Sequence, residues 1–447
     1  MYVVERLARF AAELRTQPLA PELLHHAKRA VVDWFAALLP GSVEPPATLL
    51  ERALADDLDR GGAALATGRR ATVRAAALIN GAAAHTVEVD DIYKDAIFHP
   101  GAPTIAAALA AARELGADGA TLLRAVIVGY EVATRIGAAM GRTHYRYWHN
   151  TGTIGSFGAA AACAELYALD RRRFAHALAT VTTFAAGLQQ AFRSESMSKP
   201  LHAGRAAEAG LLAAQLAREG VTGSLDVIEG GAGFGRAMGD APDWDGALVT
   251  LGRDWHITRI TFKNHACCGH TFAAIDGALA LQRRLAVSHR DIAHARVGTY
   301  RTALEVAGAG NPTSAMEARF SLKYVVAAAL VHGSVRLAAF DAARLTDPAT
   351  RSLMARIETS VDPELDALFP GRRAARVTMT TRDGRSETFL QPTRKGDPDA
   401  PLSDAELGAK FRELVGGVIG QPRADDLLLR LWALDRSPDL ALPLGPA

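Results

Sequence analysis

Residues Arg259–Leu285, RITFKNHACCGHTFAAIDGALALQRRL, join a short extended segment to an apolar helix predicted over Ala273–Leu285. They also divide the chain into two textures. Upstream, apolar residues recur at three-and-four spacing over Val3–Leu14, Ala20–Leu39, Ala47–Leu58, Val73–Val87, Thr104–Leu115, Gly119–Ala138, Ser156–Leu166, Arg172–Leu188 and Ala203–Ala217, with Gly, Pro, Asn and Asp between the runs. Strand signals are nearly absent there, so this half is expected to be helical and not a nucleotide-binding sheet.

Downstream the period shortens. Ala295–Tyr300, Ala375–Thr381 and Glu387–Leu390 read as strands, and Asp383-Gly384 between the last two is a hairpin signal. Helices predicted over Leu322–Val331 and Pro348–Ile357 lie among them, which makes this part α+β. Ser403 and Glu406 form a capping box that restarts helix through Val415, and this return is expected to rejoin the first domain. The expected fold is mainly α: a large all-helical domain from residues 1–258 and 396–447, and a smaller α+β domain over 259–395.

With 447 residues, 49% of them hydrophobic, the chain can bury a large core. A net charge of +2 on scattered basic residues points to no nucleic-acid or membrane partner. The N-terminus MYVVERLARFAAELRT mixes charge with apolar residues and lacks the unbroken apolar core of a signal peptide. No uncharged run is long enough to span a bilayer. Three cysteines, Cys163, Cys267 and Cys268, make no disulfide framework, and the adjacent pair is poorly placed to bridge, so a cytoplasmic protein is expected.

Polar density concentrates in His85–Thr104, HTVEVDDIYKDAIFHPGAPT, where Glu88, Asp90, Asp91, Asp95, Lys94, Tyr93, His85 and His99 interrupt a chain of Ala, Leu and Gly. A helix from Val73 would set His85, Glu88 and Asp91 along one stripe before the prolines end it. Such a stripe suits acid-base work, whereas the plainer reading is a solvated, acidic helix end. Two further segments stand out. Arg142–Gly155, RTHYRYWHNTGTIG, ends in a turn whose amides near Thr151 suit a carboxylate, or simply cap a helix. Ser194–Arg205, SESMSKPLHAGR, places Lys199 and His202 ahead of the helix expected from Ala203, either as an anion site or as an ordinary loop.

Other features weigh against cofactors. Lys263, His265, Cys267, Cys268 and His270 crowd together, but zinc-type ligand spacing is missing. The run EGGAGFGRAMG over 229–239 matches no dinucleotide or phosphate loop and reads as a flexible loop. No metal and no organic cofactor is expected. Only seven lysines occur, at 28, 94, 199, 263, 323, 395 and 410, so each is somewhat more informative than usual.

In order along the chain, H-x₄-D-D from His85, H-P-G-A from His99, H-N-T-G-T-x-G from His149, S-K-P-L-H-A-G from Ser198 and S-L-K-Y-V-V from Ser321 resemble the MmgE/PrpD family. The resemblance implies a helical domain with an α+β lid, a homodimer, and cofactor-independent proton movement beside a carboxylate of a small polycarboxylate. Members include 2-methylcitrate dehydratases, cis-aconitate decarboxylases and iminodisuccinate epimerases. It implies catalytic roles for His99, His149, Lys199, Lys263 and Tyr324. Glu88 and Asp91 are further acid-base candidates, and His85, Thr151, His202, Cys268 and His270 are candidate substrate contacts. A 2-methylcitrate-dehydratase-like hydro-lyase is the leading expectation, with the epimerase and decarboxylase as alternatives and a silent carboxylate-binding protein as the reading from another class. The chain departs from the decarboxylase pattern at Glu88 and Ile92, and from both decarboxylase and dehydratase at Cys267 and Cys268.

Overall fold

The computed structural model of the chain describes residues 1–192 and 196–445, so Ser194 and Glu195 of the Lys199 segment lie outside the described residues. Twenty α-helices and six strands are present among them, a mainly-α fold with a smaller α+β part. The chain forms two compact units, residues 1–261 with 403–447, and residues 262–402. No described helix is long and apolar enough to cross a membrane.

At the centre of the first unit is the Asn150–Leu166 helix, every residue of which is buried. Small residues make that possible. Gly, Ala and Ser let neighbouring backbones approach where larger side chains would hold them apart. The same device joins the Val73–Ala84 and Ser198–Arg218 helices: a Cβ on Gly81 would lie 3.0 Å from Gly204 Cα, and one on Gly204 would collide with the Leu78 carbonyl. Gly204→Ala is therefore expected to push these two helices apart and destabilise the protein by about 1–3 kcal/mol, read as a lower urea midpoint. An unchanged midpoint would show that the contact is soft.

Helix starts follow local chemistry. Thr72 caps Ala75, Asp118 caps Thr121 and Asp170 caps Arg173, each side chain accepting from a backbone N–H that the helix leaves unpaired.

The expected helices are present, with displaced ends. The Val73 helix stops at Ala84, and Glu88 adopts a left-handed φ of 61°, so His85, Glu88 and Asp91 do not share a helical stripe. Helices expected from Ser156 and Ala203 begin earlier, at Asn150 and Ser198, which puts Thr151 and Lys199 inside first turns and His202 at the start of the second turn of its helix. The helix expected over Ala47–Leu58 ends at Ala53, and a hairpin of β1 (Leu58–Ala64) and β2 (Arg70–Ala71) follows. Gly61 and Gly62 had hidden it, because glycine weakens any strand signature. The glycine-rich run is ordered into turns and a short helix, Phe234–Met238.

The second unit is built on a four-stranded sheet in the order β4-β3-β5-β6, from β3 (Ile292–Thr299), β4 (Ile357–Val361), β5 (Ala375–Thr381) and β6 (Ser386–Gln391). β3 pairs parallel with β4 and antiparallel with β5, and the Asp383-Gly384 turn joins β5 to β6 with Gly384 at φ 87°. The Phe272–Leu285 helix covers β5 and β6. The helix expected over Pro348–Ile357 ends at Met354, and β4, which begins at Ile357, was not expected.

The C-terminal return starts on the expected Ser403–Glu406 capping box and runs from Asp404 to Ile419. A further helix, Gln421–Trp432, follows.

Candidate active site

His85 terminates the Val73–Ala84 helix, and the chain then runs irregularly to Pro100 before the Gly101–Leu115 helix begins. The segment is nonetheless fixed. Ile92 pairs with Thr261 and Tyr93 with Phe98 through backbone bridges. The Asp91 carboxylate accepts from Gly101 N–H at 3.0 Å and from the Tyr130 hydroxyl at 2.8 Å. Lys410, from the C-terminal return, donates to the Val89 carbonyl at 2.7 Å while pairing with Asp33 at 2.6 Å.

This loop makes a histidine fork. One carboxylate oxygen of buried Asp90 lies 2.6 Å from His85 Nδ1 and 3.0 Å from His99 Nδ1. The His85 ring meets His99 edge-on at 4.6 Å and stacks on His149 at 5.4 Å. His149 in turn places its Nδ1 3.0 Å from that of His202. Lys199, one turn before His202, forms an ion pair with Glu88. Thr151 accepts the His99 backbone N–H at 3.1 Å, so its side chain holds the loop.

Charge is sorted within the cluster. Burial alone would raise the Asp90 carboxyl, but the charges and hydrogen bonds of His99 and His85 hold it well below the ordinary carboxylate range. His149 is pushed well below the usual imidazole range, first by burial and then by His85, Lys199, His202 and His99. Burial opposes the Lys199 ammonium, yet Glu88 beside it outweighs that and keeps it charged. A carboxylate that holds Nδ1–H leaves Nε2 of the same ring as the basic atom.

His85, Asp90 and His99 each offer a ligand atom within 4.8 Å of the others. Two ligands on a tetrahedral zinc stand about 3.4 Å apart, whereas His85 hydrogen-bonds Asp90 at 2.6 Å and His99 makes an ion contact with the same oxygen at 3.0 Å. The trio fits a hydrogen-bond fork better than a metal cradle.

Asp91 behaves oppositely to its neighbour: burial, then the nearby Asp33 charge, raises its carboxyl to about 8. The folded protein thus keeps a proton that the unfolded chain releases near pH 3.9. The resulting stability is complete below about pH 3.9 and is lost as pH rises toward 8. Asp91→Asn is expected to flatten the fall in urea midpoint between pH 5 and pH 8. An identical slope in both proteins would show that Asp91 is ionised throughout.

Four of the candidate catalytic and substrate-contact residues belong to the second unit. Lys263 is buried beside Phe262, whose N–H donates to the Gly396 carbonyl at 3.0 Å. Cys268 is half-buried, and its N–H donates to the Arg319 carbonyl at 3.0 Å. His270 Nδ1 lies 2.8 Å from the Tyr300 hydroxyl, and burial followed by Arg373 and Arg394 lowers its pKa to about 4. Tyr324 is fully buried with its hydroxyl donating to the Ala339 carbonyl at 2.5 Å. Cys163, Cys267 and Cys268 form no disulfide among the described residues, and burial pushes Cys267 up to about 12.

The first unit brings together His85, Glu88, Asp91, His99, His149, Thr151, Lys199 and His202. Sequence reasoning gave no role to Asp90, Tyr130, Asp33 or Lys410. The scarcity of lysine was the one signal that marked Lys410.

The sequence model of the MmgE/PrpD N-terminal domain matches residues 5–247, and that of the C-terminal domain matches residues 265–434. A cis-aconitate decarboxylase-like protein, oryM, from Aspergillus oryzae is 30% identical over 98% of this chain and 96% of its own length. The cis-aconitate decarboxylase of Mus musculus is 26% identical over 82% of this chain and 77% of its own. That of Homo sapiens is 28% identical over 79% and 75%.

Proposed function

Because this chain belongs to the MmgE/PrpD family, whose matched relatives are lyases, we propose that it is a carboxy-lyase acting on a small unsaturated tricarboxylate of the cis-aconitate type. The observation that carries this reading is the pairing, in one unit, of a carboxylate-oriented histidine with a charged lysine: the Asp90–His99 contact and Lys199. Loss of CO₂ from the methylene carboxylate of such a substrate leaves an allylic carbanion conjugated with a second carboxylate. Negative charge grows on that carboxylate, and a fixed ammonium stabilises it more as it grows. Lys199 supplies the ammonium. His99 supplies the proton that completes the product at the far end of the allyl system, and Asp90 holds its ring in place.

Incubating the protein with cis-aconitate in D₂O tests the reading, with NMR expected to show CO₂ release and one deuterium in the product. Absence of both, with 2-methylcitrate dehydrated instead, would overturn it. That hydro-lyase is the second reading, favoured by Glu88 and Ile92, where the chain leaves the decarboxylase pattern. Lys199→Ala is expected to remove about 2–4 kcal/mol of transition-state stabilisation, seen as a lower kcat/KM. A loss under tenfold would take Lys199 out of the reaction.

A further inference from the structure

Glycines seat the contact between His149 and His202. His149 caps the Asn150–Leu166 helix, and its N–H donates to the Gly187 carbonyl at 2.9 Å. His202 reaches it from the second turn of the Ser198–Arg218 helix, with ring centroids 5.2 Å apart and planes at 48°. Gly187 has a φ of 133°, and a Cβ there would stand 3.3 Å from both Cγ and Nδ1 of His202 and 3.5 Å from His149 Cβ. A Cβ on Gly152 would stand 3.0 Å from His202 Cβ. Side chains at either position would crowd the rings apart.

Two imidazole nitrogens 3.0 Å apart hold one proton between them, since one must donate and the other accept. We propose that His149 and His202 handle protons as one unit. A proton taken up at His149 Nε2 sends the Nδ1 proton across to His202 Nδ1, so that the positive charge settles on His202. When His149 Nε2 gives its proton away, the N–H bond at His202 Nδ1 breaks and that at His149 Nδ1 forms again. No electrons are exchanged, and the count of protons is kept.

The physical reason lies in where each ring sits. His149 is 2% exposed and faces His85, His99, Lys199 and His202, with Asp90 behind the first two and Glu88 behind the lysine. A lasting charge is poorly tolerated there. His202 is only half-buried, and burial and His85 lower its basicity without removing it from water. His202 is thus a positioning residue that lets a buried ring both accept and donate at one atom. The inference rests on the activity proposed above and gives His149 a second proton-handling role beside that of His99.

Its test needs no substrate. In ¹⁵N-histidine-labelled protein titrated by NMR, His202 is expected to reach imidazolium shifts first, while His149 stays neutral in one locked tautomer. In His202→Phe, which keeps a ring between the glycines, the His149 Nδ1 shift should move to a mixed-tautomer value. With cis-aconitate, kcat should fall about tenfold or more with KM within about threefold. His202→Asn should restore the locked tautomer but not kcat. Protonation of His149 before His202, or a His149 spectrum unchanged by His202→Phe, would overturn the proposal. Should the variants fail to fold, the titration order in the unaltered protein decides. Failure to turn over cis-aconitate counts against the proposed activity alone.

Discussion

His99→Ala is expected to slow turnover of cis-aconitate by about 10²–10⁴-fold while leaving KM within about threefold, the range for losing a positioned proton donor. His99 is the ring in the fork that combines a carboxylate partner with residual exposure: it is 9% exposed, against 0% for His85 and 2% for His149. A group must reach the substrate to protonate it, and His85 has no exposed surface. Asp90 binds Nδ1 of His99, so alanine removes the proton carrier together with a partner of a buried carboxylate. Loss of deuterium incorporation with retained binding would support the role. Near-normal incorporation in His99→Ala and in His149→Ala would move the role to Tyr324, Glu88 or Asp91.

The second large effect is on stability. Lys410 and Asp33 are each 1% exposed at the side chain and pair at 2.6 Å. Removing one member of a buried pair leaves an uncompensated charge, and Lys410→Ala is expected to cost about 3–5 kcal/mol. The substitution also releases the Val89 carbonyl, which lies between Glu88 and Asp90. Chemical denaturation of Lys410→Met and Asp33→Leu, singly and together, separates these effects. The double variant should recover most of the stability lost by either single one, yet remain slow in turnover, because Val89 is still untethered. Additive losses would show that the pair does not act as a unit.

The sequence revealed more of the helices than of the loop between them. Alanine-rich periodicity gave the helices of the first unit, and Asp383-Gly384 gave the hairpin of the second. Helical spacing could not give the turn at Glu88, because a left-handed residue outside glycine is imposed by tertiary contacts that local preference does not report. His99, His149 and Lys199 were legible as polar residues in apolar surroundings. Asp90 was visible but had no role until folding brought His85 and His99 to one of its oxygens. Lys410 lies 321 residues from the carbonyl it holds, a separation at which no local pattern operates.

That separation has a consequence during synthesis. Asp33 emerges from the ribosome 377 residues before the lysine that neutralises it. At translation speeds of about 5–20 residues per second, the wait is on the order of 20–75 s. Through that interval the nascent first unit holds Asp33 without Lys410, which in the folded protein pairs with it and tethers the Val89 carbonyl. Ribosome-bound chains stalled before residue 403 should therefore remain loosely folded and inactive, and the Asp404–Ile419 helix would act as the clasp that closes the first unit.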